Sequence, residues 1–174
     1  MIRPGEPTDV PVLQDIERAA GQAFRPLGMQ AVADDEPPSE ETLLGYIASG
    51  RAWVHVDEAA GDDRPVAYVL VDHVDGLAHI EQVSVHPAHA RRRIGAGLID
   101  HVARWARGKG IPALTLTTFT DVAWNGPYYE RIGFRYLADD EVTEGLRSIR
   151  AAEAAHGLDR WPRACMRRDI APAD

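Results

Sequence analysis

The chain has 174 residues, with 19 Lys and Arg against 27 Asp and Glu, for a net charge of −8. It is 45% hydrophobic and 26% charged, the balance of one globular domain with a substantial core. The acidity argues against non-specific nucleic-acid binding, no apolar run is long enough to span a membrane, and Met1-Ile-Arg-Pro-Gly lacks the core of a signal peptide. The expectation is therefore a single cytoplasmic domain over 1–174, with neither membrane nor nucleic-acid partner.

Ile2-Arg-Pro predicts a short first strand. Thr8 or Asp9 can cap a helix whose stripe is Val10, Leu13, Ile16 and Ala19-Ala20. Gln22 to Pro38 reads as a loop or broken helix. Ser39 with Glu40 and Glu41 opens a second helix, which ends at Gly50. Ala52–Val56, Pro65–Val71 and Ala78–Val85 read as strands, with turns at Glu58–Arg64 and Val74–Gly76, and the short connections predict an antiparallel meander.

A helix from Arg93 or Ile94 to Gly108 and a strand over Ala113–Phe119 follow. With the preceding strand they form a β-α-β unit, so the two strands should run parallel. A short helix is predicted over Pro127–Arg131 and a strand over Phe134–Leu137. An amphipathic helix spans Asp139–Gly157 on Val142, Leu146, Ile149 and Ala152. Arg163–Asp169 is the last strand, and Ala171–Asp174 is a loose tail.

Metal chemistry finds no support: seven histidines show no HExxH or Cys/His spacing. Cys165, the sole cysteine, permits no internal disulfide and reads as a buried structural thiol. The informative stretch is Val83 to Leu98. Strand alternation stops at His86-Pro87, Arg91-Arg92-Arg93 crowd a loop, and Gly95 and Gly97 open the next helix. Free N–H groups, the positive helix end and close-approach glycines make an anion site, suited to a phosphate-bearing cofactor.

Three features taken in this order give the resemblance. They are the two-helix region before the meander, Val83-x-Val-His-Pro…Arg-Arg-Arg-Ile-Gly-Ala-Gly-Leu98, and Asn125-Gly-Pro-Tyr-Tyr-Glu-Arg-Ile-Gly-Phe134. The sequence resembles the GNAT superfamily of acyl-CoA-dependent N-acetyltransferases, most strongly from Ala78 to Leu137. Arg92-x-x-Gly95-x-Gly97 satisfies the family's coenzyme pattern literally. Aligned from Pro87, however, Arg93 falls where the family often has its first glycine, and Ala90 where it has Gln or Arg.

The resemblance implies an α/β (α+β) fold: a mixed, mostly antiparallel central sheet flanked by helices, with a β-α-β acyl-CoA-binding core. It implies transfer of an acetyl group from acetyl-CoA, as cosubstrate and without a metal, to a primary amine by direct attack in a ternary complex. The acceptor is a small-molecule amine or a peptide amine, and a homodimer is left open. The pyrophosphate would sit on Arg91, Arg92, Arg93, Ile94, Gly95, Ala96 and Gly97, and the pantetheine arm on Val83, Ser84 and Val85. Asn125 would bond that arm or cap the short helix.

Tyr129 matches the family's catalytic tyrosine. A phenol of pKa about 10 can protonate a thiolate of pKa about 8.5. Tyr128 beside it is a coenzyme contact and the alternative donor. His79, Glu81, Val83 and Val85 share one strand face. Glu81 or His79 would deprotonate the amine, an edge-of-sheet polar pair being the plainer reading. Phe24, Met29 and Asp34-Asp-Glu36 are candidates for the acceptor pocket. The rival function is a non-catalytic acyl-CoA sensor or structural module.

Overall fold

The computed structural model describes residues 1–172, so the last part of the tail expected at Ala171–Asp174 lies outside the described residues. Thirteen elements carry the argument. They are β1 (Ile2–Pro4), α1 (Val10–Gly21), α2 (Gln30–Ala33), α3 (Glu40–Ala48), β2 (Ala52–Val56), β3 (Pro65–Val74), β4 (Leu77–Val85), α4 (Ile94–Gly108), β5 (Ala113–Phe119), α5 (Gly126–Arg131), β6 (Arg135–Tyr136), α6 (Glu144–Ala155) and β7 (Arg163–Asp169). The strands form one seven-stranded sheet in the order β1-β2-β3-β4-β5-β7-β6. β4 and β5 are parallel, whereas β1–β2, β2–β3, β5–β7 and β6–β7 are antiparallel. The fold is thus the expected mixed, mostly antiparallel sheet with flanking helices.

The chain forms two compact units. The first is Met1–Val71 with Gln82–His101; the second is Asp72–Glu81 with Val102 onward. In the first unit, Val10, Leu13 and Ile16 of α1 and Leu43 of α3 bury with Ala52, Val54, Val56, Tyr68 and Leu70. This is the apolar stripe of a helix laid on alternate strand residues. Ser39 caps α3, its side chain accepting from the Thr42 amide at 3.1 Å. Asp9 does not cap α1 as expected. Its carboxylate accepts from Arg3 at 2.8 and 3.0 Å and from the Glu6 amide at 2.8 Å, which leaves no capping bond. Gln22–Leu27 is a 3-10 turn followed by the short α2, the broken helix that the mixed polarity predicts.

In the second unit, Leu114, Leu116, Met166, Val102, Ala106, Phe134 and Leu146 are buried. Several boundaries differ from expectation. β3 runs on to Val74, because the reversal is tighter than Val74–Gly76: Asp75 (φ 52°) and Gly76 (φ 78°) are both left-handed, the two-residue turn that matches strand twist. α6 begins at Glu144 rather than Asp139, since Thr143 caps it and Asp139–Glu141 is a separate 3-10 turn. β6 is trimmed to Arg135–Tyr136. Among the described residues, no helix is long and apolar enough to cross a membrane.

Candidate coenzyme and acyl-transfer sites

The first unit carries the arginine loop. After β4, Pro87–His89 forms a 3-10 turn in which the Ala88 amide donates to His86 Nδ1 at 3.2 Å. Arg91 (φ 63°) and Arg93 (φ 59°) then adopt left-handed backbone on either side of Arg92. Few non-glycine residues do this, because Cβ crowds the carbonyl. Arg93, which the resemblance sets against a glycine, thus adopts a glycine-like conformation. Such turns direct backbone N–H groups into an anion-binding concavity.

The loop leads directly into α4. The Gly97 amide donates to Arg93 O at 3.0 Å, so the amides of Ile94, Gly95 and Ala96 precede the first helical bond, the orphan donors of a helix start. A Cβ placed on Gly97 would meet nothing within 4 Å, which leaves that side of the first turn open. These features fit a pyrophosphate.

Arg92 is less available than the sequence suggests. Its Nη1 lies 2.5 Å from Asp57 Oδ2 and 2.9 Å from His89 Nδ1. The guanidinium holds the Asp57 carboxyl down to about 2. Asp57 carries no motif signal, and no pattern in the sequence would have joined it to Arg92.

Behind Val83 and Val85 stands a polar cluster that the sequence did not reveal. Glu17 of α1 accepts from Ser84 Oγ at 2.5 Å, from Tyr68 Oη at 2.8 Å and from Gln82 Nε2 at 3.1 and 3.2 Å. Ser84 and Tyr68 are buried. The Ser84 side chain is thereby committed to Glu17, on the strand face opposite Val83 and Val85.

Also in this unit, an open cleft of about 230 Å³ is lined by Arg18, Gln22, Ala33, Asp34, Asp35, Glu36 and Pro37. It includes the expected acids. Met29 is a core residue instead, 3% exposed.

The second unit carries the titratable candidates His79, Glu81 and Tyr129. β4 and β5 pair at Ala78–Leu114 and His79–Thr115, and β5 and β7 pair at Thr117–Cys165 and Phe119–Arg163. By the two-residue period, His79, Glu81, Thr115, Thr117, Phe119, Arg163 and Cys165 share one sheet face. His79 is 1% exposed, and its Nδ1 lies 2.9 Å from Thr115 Oγ1. Burial lowers its pKa, so the ring is neutral.

The His79 Nε2 is 3.9 Å from Glu81 Oε2, too long for a hydrogen bond. Glu81 keeps 45% of its side chain exposed at the edge of this face. Burial pushes its carboxyl up to about 7, with Asp72 and Glu153 adding and Arg163 opposing. A carboxyl titrating there can take up and give back a proton near neutrality.

α5 starts with Pro127 in its first turn, and Gly133 (φ 101°) follows its end. A Cβ on Gly126 would lie 3.2 Å from Phe119 O, so the glycine lets α5 seat against the end of β5. Tyr129 is buried, its ring packed edge-on to Tyr128 (5.6 Å) and Phe134 (5.8 Å). Burial holds its hydroxyl above the ordinary phenol range. Asn125 occupies the cap position of α5 but makes no capping hydrogen bond, so the capping use anticipated for it is not realised.

Glu153, Arg163 and Arg150 are the second group that the sequence did not reveal. Thr117 Oγ1 donates to Glu153 Oε2 at 2.7 Å, and Arg163 Nη2 donates to the same oxygen at 2.7 Å. Arg150 donates to Glu153 Oε1 at 3.1 Å and to Asp159 at 2.8 Å. Cys165 is buried as expected. No cluster of three or more His, Cys, Asp or Glu among the described residues could hold a metal.

The model of the acetyltransferase (GNAT) family matches residues 13–134. Solved structures agree in fold. A GNAT-family acetyltransferase from Staphylococcus aureus superposes with TM-score 0.73 at 14% identity, covering 98% of this chain and 99% of that one. The PaiA N-acetyltransferase of Thermoplasma acidophilum, solved with coenzyme A, gives 0.71 at 15% identity and covers 97% and 98%. N-acetylglutamate synthase from Neisseria gonorrhoeae, solved with coenzyme A and N-acetyl-glutamate, gives 0.68 at 18% identity. The match takes in 98% of this chain but only 35% of the synthase, so the chain spans about a third of that protein's length.

Proposed function

Because this chain belongs to the GNAT acetyltransferase family, we propose that it moves an acetyl group from acetyl-CoA to a primary amine by direct attack in a ternary complex. The observation that carries the reading is the left-handed pair Arg91 and Arg93 leading into the open first turn of α4. We read 1–174 as one N-acetyltransferase domain, since β3, β4 and α4 each run through both units. The reading includes a cytoplasmic location, which a lone unpaired cysteine suits.

When bound, acetyl-CoA supplies the acetyl carbon that is attacked, and CoA leaves as the thiol. The amides from Arg91 to Gly97 hold its pyrophosphate, and Arg91 and Arg93 add charge. The backbone of Val83, Ser84 and Val85 takes the pantetheine arm as an added strand, with one N–H stabilising the developing oxyanion. Asn125, free of a capping bond, bonds the same arm, and Tyr128 lines it.

Glu81 takes one proton from the ammonium, the freed nitrogen lone pair forms the N–C bond, and as the tetrahedral oxyanion collapses the C–S bond breaks while the second nitrogen proton is lost to balance the one that ends on sulfur. His79, neutral and tied to Thr115, orders that end of the face. Tyr129 keeps its proton at neutral pH and offers it to the departing sulfur. A phenol raised by burial acts there first as a hydrogen-bond donor, since full transfer to a thiolate of pKa about 8.5 runs uphill.

The test is calorimetric titration with acetyl-CoA, with desulfo-CoA and NADH as comparison ligands, followed by thiol release against a panel of amines. One-to-one binding of the CoA ligands alone, then thiol release with some amine, is expected. No CoA binding overturns the reading. Binding without turnover on any amine would favour a non-catalytic acyl-CoA module.

A further inference from the structure

The face that carries Glu81 holds a buried cation that the acyl-transfer motifs do not include. Arg163 sits at the start of β7, opposite Phe119 of β5. Its side chain is 8% exposed. Nη2 donates to Glu153 at 2.7 Å and reaches Thr117 Oγ1 at 3.3 Å, while the guanidinium carbon lies 4.3 Å over the Phe119 ring. Nε is buried with no hydrogen-bond partner.

This is an expensive arrangement. Desolvating an arginine and a glutamate offsets most of their attraction, and an apolar pair of the same volume is often as stable. An orphaned N–H costs more. Stability alone therefore does not account for Arg163.

Its placement does. Thr117, which Arg163 touches, is two residues along β5 from Thr115, the partner of His79; Glu81 is two residues along β4 from His79. All five side chains are on one face.

Resting on the proposed function, we infer that Arg163 is a positioning residue for the transfer reaction: clamped by Glu153, Thr117 and Phe119, it is the fixed cation that balances the carboxylates of the face on which Glu81 works. His79 on the same strand lies 3.9 Å from Glu81, and the charges that act on its carboxyl are Asp72 of β3, Glu153 of α6 and Arg163 of β7. Asp72 and Glu153 hold the Glu81 proton on; Arg163 opposes them. It also opposes burial and Tyr128 at the Tyr129 hydroxyl. One guanidinium thus biases both the proposed base and the proposed donor toward their ionised forms. Arg150 and Glu153 keep it in place.

The experiment follows the Glu81 carboxyl carbon by NMR across pH in glutamate-labelled protein, with Glu81→Gln for assignment. In Arg163→Gln the Glu81 midpoint should rise by about one pH unit, while Arg163→Lys, which keeps the charge, should stay within about 0.3 unit of the parent. An unchanged midpoint in Arg163→Gln, or an equal shift in both variants, overturns the inference.

Should Arg163→Gln fail to fold, Arg163→Gln/Glu153→Gln leaves no uncompensated buried charge. Its midpoint is compared with that of Glu153→Gln alone, and the same one-unit rise is expected. Acetyl-CoA titration of the parent protein is read separately. Absent binding there counts against the proposed function and leaves the Glu81 titration readable. Normal binding with an unmoved midpoint sinks the role of Arg163 alone.

Discussion

His79 and Thr115 are partners twice over, as cross-strand neighbours and through the 2.9 Å contact of Nδ1 with Oγ1. Burial at 1% exposure lowers the pKa of the ring and that contact fixes its orientation, whereas Glu81 reaches solvent. For the proposed reaction this makes Glu81, rather than His79, our choice of base. Thiol release at saturating amine should rise with pH along a limb centred near 7, where the Glu81 carboxyl titrates. Glu81→Gln should abolish that limb and lower the rate by about 10²-fold or more. His79→Asn, which can still bond Thr115, should keep it. A limb that survives in Glu81→Gln would assign the base elsewhere.

The same carboxyl makes a stability prediction with a definite sign. Its value rises from 4.5 unfolded to about 7 folded, so the folded state binds the proton more tightly. Glu81 therefore favours the fold at low pH, and that contribution is lost as pH rises through the folded value. The Tm of Glu81→Gln relative to the parent should climb between the two values and level off above about 7. A difference that stays flat with pH would contradict the raised carboxyl.

Tyr129 separates packing from chemistry. Its ring is edge-on to Tyr128 and Phe134 and buried. Tyr129→Phe keeps that packing and removes only the hydroxyl. Thiol release should fall by about 10²-fold, with acetyl-CoA affinity and Tm close to the parent. An equal loss of affinity would make the hydroxyl a coenzyme contact instead.

What the sequence revealed and what it hid follow from the range of the interactions. The order of strands and helices was legible because each depends on local periodicity and punctuation: Leu13 and Ile16 on one helix face, Ser39 at a cap, Gly133 after α5. The loop and Tyr129 could be singled out as candidates because their motifs are contiguous. Glu17, Asp57, Glu153 and Arg163 were not. Each acts on a partner distant in sequence: Glu17 on Ser84 across 67 residues, Asp57 on Arg92 across 35. An isolated charge on an amphipathic helix, such as Glu153 in its alanine-rich run, looks like solvated surface until β7 is laid beside β5. Arg163 could have been suspected from its alternation with Cys165, which placed both on one strand face.

Arg93 tests the loop itself. With φ at 59° it pays a side-chain clash that glycine would not. Arg93→Gly should stabilise the protein by about 1 kcal/mol, less what the more flexible unfolded chain takes back. If backbone amides dominate the coenzyme grip, acetyl-CoA affinity should change by no more than about threefold, which is under 1 kcal/mol. A tenfold loss would show that the Arg93 side chain, not its backbone, holds the phosphate. Chemical denaturation and calorimetry on one preparation read both quantities.

Glu17 tests the strand behind the proposed pantetheine contacts. Its carboxylate is the acceptor for Ser84, Tyr68 and Gln82, and the first two are buried. Glu17→Ala leaves those hydroxyls without that acceptor, at about 1–3 kcal/mol each before water or rearrangement relieves them. A loss of about 3 kcal/mol is expected, read as a lower urea midpoint with an unchanged m-value. Glu17→Gln keeps one carbonyl acceptor but turns an amine toward Gln82, and should fall between. Because the cluster fixes Ser84 from the face opposite Val83 and Val85, the loosened strand should also bind acetyl-CoA more weakly in Glu17→Ala. The loss should be smaller in desulfo-CoA comparisons with Ser84→Ala, where the Glu17–Tyr68 bond survives. Equal weakening in both variants would mean that the Ser84 side chain alone sets the strand, and the rest of the cluster would then be structural.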